Sequence, residues 1–359
     1  MSRMYLAAAG SGKTTFLLDM VADKSLCYLY TTFTNENSDV AKAMLIEKYG
    51  RIPSNVVILP WFSFLLEHGV RPFQGSAGLG SVEFTGVDLS SEGKNYNRRP
   101  SLGYYCNLSS KSIYAAKLPE LVLHCDDCSG GAVFRRLGHL FDAVLIDEAQ
   151  DLAGYDYDVI KRLLDSNMDV QICGDERQTT YRTSHSKKYK GKTLEQFLSE
   201  NGLDTCCVID RGSLSGSYRC DEIIIQFANR LYPDLPQTKS LAKSGEGNQT
   251  GIWLVPVSRV EDYVVKFNPV VLRDKATVKT VAGPLTLNFG KSKGRTFDDV
   301  LIYPVKAVRD WLTDASVELR DQTRSRFYVA VTRARYSVGI VVSNKEAERL
   351  AGSYRIWGP

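Results

Sequence analysis

A glycine-rich stretch, Ala7–Thr14 (AAAGSGKT), follows the first apolar run and limits the possible folds more than any other segment. It has the form G-x-x-x-x-G-K-[ST], with alanine in the first glycine position. A bare turn of this kind points several backbone N–H groups at a crowded anion such as phosphate. The residues before it predict a buried strand, Met4–Ala8, and those after it a helix, Thr14–Ala22, whose N-terminal dipole faces the anion. This strand–loop–helix context predicts a nucleotide-binding site.

The residues of this loop have distinct chemical roles. Because Gly10 and Gly12 lack side chains, the backbone stays open to phosphate oxygens. We expect Lys13 to reach the β- and γ-phosphates and the Thr14 hydroxyl to ligate Mg²⁺. The residues expected to bind the nucleotide here are Ala9, Gly10, Ser11, Gly12, Lys13, Thr14 and Thr15.

The composition is that of an ordinary globular protein with a mild positive charge. The 359 residues are 43% hydrophobic and 24% charged, which suffices for two domains with sizeable cores. The net charge of +4 permits an anionic partner without requiring one. Neither a membrane span of ~18 apolar residues nor a signal peptide is recognised. We therefore expect the eight cysteines to be reduced and the protein to be cytoplasmic, with no membrane partner.

Two later strand ends carry side chains suited to phosphate chemistry. The apolar run Phe141–Ile146 leads directly into Asp147 and Glu148, and Asp169–Cys173 leads into the segment GDERQ, which ends at Gln178. We expect Asp147 to hold Mg²⁺ and Glu148 to orient and deprotonate the attacking water. Gln178, at a strand tip, is suited to sense the γ-phosphate or that water.

Earlier strand ends carry candidate nucleic-acid contacts. Leu26–Thr32 and Val56–Leu59 predict parallel strands, and open α/β sheets bind ligands where such strands end. Aromatic side chains at this edge can stack on bases, although core packing explains Trp61 equally well. The residues expected to contact nucleic acid are Thr32, Phe33, Asn35, Trp61 and, after GDERQ, Tyr181.

Residues 70–131 differ in character from the sequence on either side. Gly, Ser, Asn and Tyr dominate and apolar periodicity is lost, so we interpret this stretch as an inserted subdomain. The nominal zinc ligands here and just beyond are Cys106, His124, Cys125, Cys128 and His139. A single Cys-x-x-Cys pair is a weak signal, and unliganded thiols are the simpler interpretation.

A second α/β unit without a P-loop is predicted to begin with the strand Thr205–Asp210. The segment GSYRC follows and contains Arg219, and the helical stretch Arg324–Arg335 (RSRFYVAVTRAR) contains Arg333. Arginines at strand ends suggest charge stabilisers of the arginine-finger type. Further strands are predicted at Ile252–Val257, Pro269–Leu272, Leu285–Phe289, Asp299–Tyr303 and Ser337–Val342.

Taken in order, these segments resemble the motifs of superfamily 1 helicases, especially the UvrD/Rep group. AAAGSGKT resembles the first motif and TTFTNEN a contact to single-stranded nucleic acid. DEAQD resembles the magnesium and base motif, and GDERQ the γ-phosphate-sensing motif. SYRC, GKSKGRTFDDV and YVAVTRAR resemble the fourth, fifth and sixth motifs, with Arg219, Gly294 and Arg333 at nucleotide-facing places. The likeness spans about residues 4–345, and seven segments in series make it specific.

The resemblance implies two RecA-like domains with parallel sheets, residues 1–204 and 205–359, with the small inserted subdomain in the first. It implies ATP and Mg²⁺ in the cleft between them and single-stranded DNA crossing both. The implied activity is an ATP-dependent DNA helicase or translocase in DNA repair or replication, moving 3′→5′. Only about 65 residues separate Arg219 from Leu285, so the large insertion of UvrD/Rep enzymes is absent and the protein is a compact variant.

Two other interpretations fit the same residues. The chain could be a nucleic-acid-gated ATPase subunit of a nuclease or defence complex that unwinds nothing. Its track could also be RNA, because backbone contacts and base stacking do not distinguish the sugar.

We expect Lys13→Ala or Glu148→Gln to abolish ATP turnover, because the first removes the phosphate-binding ammonium and the second the base. Steady-state phosphate release measures this directly. Full activity in either variant would contradict the assignment of the site.

Overall fold

The computed structural model describes residues 1–80, 82–89, 101–179, 188–243 and 250–358. The prediction for Tyr181 lies outside these residues. By their internal contacts the described residues form two compact units. The first comprises residues 1–6, 13–174 and 188–211, and the second comprises residues 7–12, 175–179 and 212–358, each within the described ranges.

The first unit is built on a six-stranded parallel sheet with the order β3-β2-β7-β8-β1-β9. Its strands are β1 (Ser2–Leu6), β2 (Tyr28–Thr32), β3 (Val56–Pro60), β7 (Ala143–Ile146), β8 (Asp169–Gly174) and β9 (Cys207–Asp210). Every residue of β2 and β7 is buried, as expected for strands covered on both faces. Since all strands run the same way, Ala7, Asp147 and Asp175 follow strands that end at one edge of the sheet.

Helices and a small sheet complete the first unit. A three-stranded sheet, β4-β6-β5, is formed by β4 (Gly86–Asp88), β5 (Cys106–Asn107) and β6 (Ser112–Tyr114), within the predicted insertion. The helices are α1 (Lys13–Asp19), α2 (Asn35–Tyr49), α3 (Trp61–Phe64), α4 (Leu102–Tyr105), α5 (Leu118–Cys128), α6 (Ala132–Leu140), α7 (Tyr155–Leu164) and α8 (Leu194–Glu200). A π-helical turn, Leu65–Val70, continues α3. Phe84, Ile113 and Leu121 share one buried cluster with the strands of the large sheet, so the insertion extends that core.

The second unit contains a five-stranded parallel sheet with the order β12-β16-β15-β13-β14. Its elements are the short pair β10 (Gly216–Ser217) and β11 (Lys239–Ser240), the sheet strands β12 (Gly251–Pro256), β13 (Val270–Arg273), β14 (Thr286–Asn288), β15 (Phe297–Tyr303) and β16 (Ala334–Val342), and the helices α9 (Glu222–Asn229), α10 (Val260–Phe267), α11 (Lys306–Thr313), α12 (Asp321–Val331) and α13 (Asn344–Leu350). Two parallel α/β sheets and a small inserted sheet confirm the predicted fold class.

Three local predictions differ from the structure. The strand ending at Asp210 pairs with Ser2–Tyr5 at the edge of the first sheet, so it does not open the second sheet. Helix α12 ends at Val331, so Arg333 follows the helix instead of lying within it. Thr34 is the N-cap of α2 and accepts from the Asn37 N–H, whereas the sequence suggested Asn37 or Ser38. The division of domains after residue 204 stays a prediction.

Two features bear on the environment of the protein. All eight cysteines are free in the structure, and the neighbouring Cys206 and Cys207 form no disulfide. Among the described residues, no helix combines the length and the apolar character required to cross a membrane.

Gly69 permits a close approach of the π-helical turn to α5, since a Cβ there would lie 2.6 Å from Cγ2 of Val122. We expect Gly69→Ala to lower the free energy of unfolding by about 1–3 kcal/mol through overpacking. Urea unfolding measures the loss. Gly75→Ala is the matched control, since a Cβ at Gly75 meets nothing within 4 Å. Equal stability of the two variants would contradict this account.

Candidate nucleotide site

In the first unit the P-loop lysine and threonine begin helix α1. Lys13 is the first helical residue and is buried, Thr14 is half-buried, and Thr15 is exposed. Backbone N–H groups in the first turn of a helix have no partner within the helix, and the dipole there favours an anion. The helix therefore presents these residues in the way that phosphate binding requires.

The Asp147 carboxylate accepts hydrogen bonds on both of its oxygens. Its Oδ2 accepts from Thr14 Oγ1 at 2.6 Å and from the Tyr30 hydroxyl at 2.8 Å. Its Oδ1 accepts from the Glu148 backbone N–H at 2.9 Å. Asp147 is 3% exposed, so these donors replace the water that burial removes. Thr14 and Asp147, the two predicted Mg²⁺ ligands, are thus in direct contact.

The pKa values of this group reflect burial next to other charges. Burial raises the pKa of the Asp147 carboxyl, and the Glu148 carboxylate acts in the same direction. The Thr14 hydroxyl, the Lys13 ammonium and the Tyr30 hydroxyl oppose this rise. Burial also raises the pKa of Tyr30 well above its usual value, so the phenol keeps its proton and acts as a donor.

Glu148, the predicted base, has a left-handed backbone with φ of 56° and precedes the short 3₁₀ turn Ala149–Asp151. Its Oε2 accepts a hydrogen bond from the Gln150 side chain. Non-glycine residues in this region of φ are uncommon, and such strain is often found at functional sites. The backbone here therefore directs the carboxylate of Glu148 away from that of Asp147.

Residues 7–12 of the P-loop belong by their contacts to the second unit. The Ala8 N–H donates to the Leu214 carbonyl at 2.9 Å, and the Gly10 carbonyl accepts from the Tyr218 N–H at 2.9 Å. Gly10 has φ of 73°, and a Cβ there would lie 2.6 Å from Cβ of Arg219. Only glycine combines that backbone conformation with that approach. The structure thus brings Gly10 and Arg219, two predicted site residues, together.

The loop keeps features of an anion cradle. Gly12 has φ of 81°, and a Cβ there would meet nothing within 4 Å. The Ser11 hydroxyl is buried and has no hydrogen-bond partner among the described residues. A buried hydroxyl without a partner is costly unless a ligand or water satisfies it.

Gln178 and Arg333 are hydrogen-bonded to each other within the second unit. Arg333 Nη2 donates to Gln178 Oε1 at 3.0 Å, and Gln178 Nε2 donates to Asp175 Oδ2 at 2.8 Å. Arg333 is 1% exposed and also donates to the carbonyls of Val329 and Arg295. A predicted sensor and a predicted finger therefore form one buried polar network.

The remaining predicted nucleotide contacts lie in the second unit as well. Arg219 is half-buried, and its Nη1 donates to the Thr332 carbonyl at 3.2 Å. Gly294 is exposed, has φ of 79° and precedes β15. Ala9 is fully buried in the second unit's core.

The predicted nucleic-acid contacts separate into accessible and buried side chains. Asn35 is exposed at the start of α2, and the half-buried Phe33 ring lies 5.9 Å from the ring of Phe62. Trp61 is 0% exposed and donates its indole N–H to Asp156 Oδ1 at 2.7 Å. The prediction that Trp61 stacks on a base is wrong in this structure, because its ring is a core element. The Thr32 side chain is buried too, so it offers no contact surface.

Two tyrosines beside the predicted residues were not anticipated. Tyr30 bonds to Asp147, and Tyr218 is 66% exposed next to Arg219. The SYRC segment signalled its arginine but not the tyrosine before it. The role of Tyr30 depends on which strands are neighbours, and the sequence does not state that.

The candidate zinc ligands do not form a cluster. Cys106 and Cys125 are buried, and the His124 ring lies beside Cys128, with Sγ to Nδ1 at 3.7 Å. No group of three or more His, Cys, Asp or Glu side chains suited to a metal ion is found in the described part of the chain.

Residues 116–191 match the family model described as the UvrD/REP helicase N-terminal domain. This segment is similar to UvrD/REP helicases. It contains Asp147, Glu148 and Gln178, so the match covers the carboxylate and γ-phosphate motifs. The resemblance to superfamily 1 helicases that the motifs predict is thereby confirmed.

No curated protein matches the sequence significantly. Arterivirus nonstructural protein 10 (helicase) is similar at 14% identity and a TM-score of 0.45, with 97% of this chain and 61% of that one covered. The corresponding values are 16%, 0.46, 100% and 64% for the PRRSV helicase, and 13%, 0.48, 98% and 63% for the arterivirus protein in complex with DNA. This chain therefore spans less than two thirds of the length of those proteins. Similarity at this level does not decide activity or substrate.

We expect Arg333→Ala to slow single-turnover ATP hydrolysis on the order of 10³-fold or more, because a finger arginine stabilises charge in the transition state. The matched control is Arg335→Ala. Arg335 is exposed and pairs with Asp298 at 3.0 Å, so its removal should leave the rate unchanged. Normal hydrolysis by a folded Arg333→Ala protein would show that Arg333 is not a finger.

Proposed function

We propose that this protein is a nucleic-acid-dependent ATPase of the helicase type, which uses Mg-ATP to move along single-stranded DNA in the 3′→5′ direction. The observation that carries the proposal is the contact of Thr14 with Asp147, immediately after a P-loop. The family match over residues 116–191 supports the same conclusion.

The residues present fit both the cation and the nucleotide. A hydroxyl and a carboxylate are hard oxygen donors of the kind that Mg²⁺ prefers. The unpartnered Ser11 hydroxyl and the open space at Gly12 suit a phosphate chain. In this proposal Thr14 and Asp147 hold Mg²⁺, which when bound neutralises charge on the β- and γ-phosphate oxygens.

The side chains of the first unit then have separate tasks. Lys13 places its ammonium at the β- and γ-phosphates and stabilises the charge that develops there. Glu148 orients the attacking water and accepts its proton, and Gln150 fixes the orientation of the Glu148 carboxylate. Thr15 and Ala9 complete the loop that the resemblance assigns to nucleotide binding.

The side chains of the second unit would report on the state of the nucleotide. Gln178 is bonded to Arg333, so a change of partner at Gln178 alters the position of a guanidinium at once. Arg219 lies against Gly10 and is the second candidate for charge stabilisation. Tyr218, exposed beside Arg219, offers a ring on which a base could stack.

The nucleic-acid track rests on fewer residues. Phe33 and Asn35 are accessible at the edge where β2 ends, and the net charge of +4 favours an anionic partner. No protein partner is needed for these contacts, and a nuclease or a repair or replication protein remains the partner class that the resemblance suggests.

The decisive experiment is the steady-state ATPase rate with no polymer, with single-stranded DNA and with single-stranded RNA of the same sequence, at one low salt concentration. We expect strong stimulation by DNA, because a motor couples hydrolysis to its track. Glu148→Gln controls for contaminating ATPases. A salt series checks that the stimulation depends on phosphate contacts.

Each other result changes the proposal in a defined way. Stimulation by RNA alone would replace the DNA track with RNA. Hydrolysis that ignores both polymers would favour a partner-gated ATPase over a motor. If DNA stimulates, displacement of streptavidin from 5′- or 3′-biotinylated oligonucleotides decides the direction, and release from the 3′ end alone would contradict 3′→5′ movement.

A further inference from the structure

The Tyr30 hydroxyl makes a contact with the catalytic carboxylate that the P-loop motif does not require. It donates to Asp147 Oδ2 at 2.8 Å, the oxygen that also accepts from Thr14. Tyr30 is 0% exposed, so no water competes for this bond. All three residues lie in the first unit.

Strand pairing explains why a tyrosine reaches this oxygen. Tyr30 of β2 is paired in parallel with Leu145 of β7. Asp147 follows two residues after Leu145, so it lies on the same face about 6.6 Å further along the strand direction. A phenol hydroxyl spans that distance, whereas a valine, leucine or phenylalanine there would fill the space without supplying a donor.

The bond limits how the carboxylate can be oriented. The terminal torsion of an aspartate is broad, so its plane is easily rotated when few donors hold it. A carboxylate has about four acceptor positions, and Thr14, Tyr30 and the Glu148 N–H occupy three here. One acceptor position is left in a fixed direction for the hydration shell of a cation.

We infer that Tyr30 is a positioning residue for the magnesium site, which holds Asp147 in the orientation that receives Mg²⁺ together with Thr14. This inference rests on the proposed function, since it assumes that Thr14 and Asp147 hold the cation. Loss of an outer partner of a metal ligand commonly costs 10–100-fold in metal affinity. We expect a loss of on the order of 10-fold from the removal of one hydroxyl.

The test measures binding without turnover. A fluorescent ADP is titrated into wild-type, Tyr30→Phe and Tyr28→Phe proteins, each with EDTA and with a series of Mg²⁺ concentrations. Tyr28 is the matched control, because it is a buried tyrosine two residues earlier on β2 whose charged neighbours are Asp23, Asp142 and Asp169. Tyr30→Phe should raise the Mg²⁺ concentration at half-effect about 10-fold and leave ADP affinity in EDTA unchanged. Tyr28→Phe should change neither value.

A second pair of variants separates positioning from general destabilisation. If Tyr30 acts through Asp147, adding Tyr30→Phe to Asp147→Asn should have no further effect on the Mg²⁺ dependence. Melting temperatures without ligand show that each variant is folded, and a merely structural role would shift melting but not the Mg²⁺ midpoint.

The outcomes distinguish the two ideas. A folded Tyr30→Phe protein with the wild-type Mg²⁺ midpoint would overturn the inference and leave the proposed function standing. Equal effects of Tyr30→Phe in the wild-type and Asp147→Asn backgrounds would also overturn it. If wild-type protein binds ADP without any dependence on Mg²⁺, the proposed function fails and this inference fails with it.

Discussion

The candidate chemistry of this protein depends on keeping one buried carboxylate in place. Removing a carboxylate from water is expensive unless hydrogen bonds compensate for the lost hydration. Asp147 receives that compensation from Thr14, Tyr30 and the following backbone N–H. The parallel sheet makes this possible, because β7 lies beside β2 and one strand away from β1, whose end leads into the P-loop. The order of the strands therefore determines which hydroxyls are available to the carboxylate.

A different kind of constraint operates in the second unit, where backbone geometry matters most. Gly10 needs both a left-handed φ and the absence of a Cβ, since the Arg219 side chain would otherwise overlap it. Arg333 is held at carbonyls on two sides and bonded to Gln178, so its guanidinium occupies one position. Buried networks of this kind specify a single arrangement when every member has its partners. The same bonds make the arrangement responsive, because a new partner for Gln178 must displace Arg333.

Much of this could be predicted from the sequence, and the exceptions have physical causes. Apolar runs located most of the strands, and loop chemistry identified Lys13, Thr14 and Asp147 because few other functions need those residue types in that order. Trp61 was ambiguous, since a ring after a strand can point either way, and the buried Asp156 decides it. Tyr30 could not be recognised, because its role depends on lateral strand pairing. The strand ending at Asp210 was misplaced for the same reason, since an apolar run does not reveal which sheet it will join.

The path of the chain through the two units has a practical consequence. Residues 7–12 and 175–179 group with residues 212–358, while the stretches on either side of them belong to the first unit. A fragment cut once, near residue 204, would therefore carry two short segments deprived of the neighbours that satisfy them, including the bond from Tyr218 to Gly10. The two units are interwoven in sequence and cannot be separated as modules by truncation. Any natural relative that loses or exchanges its second half must also change the first glycine-rich loop and the turn after β8.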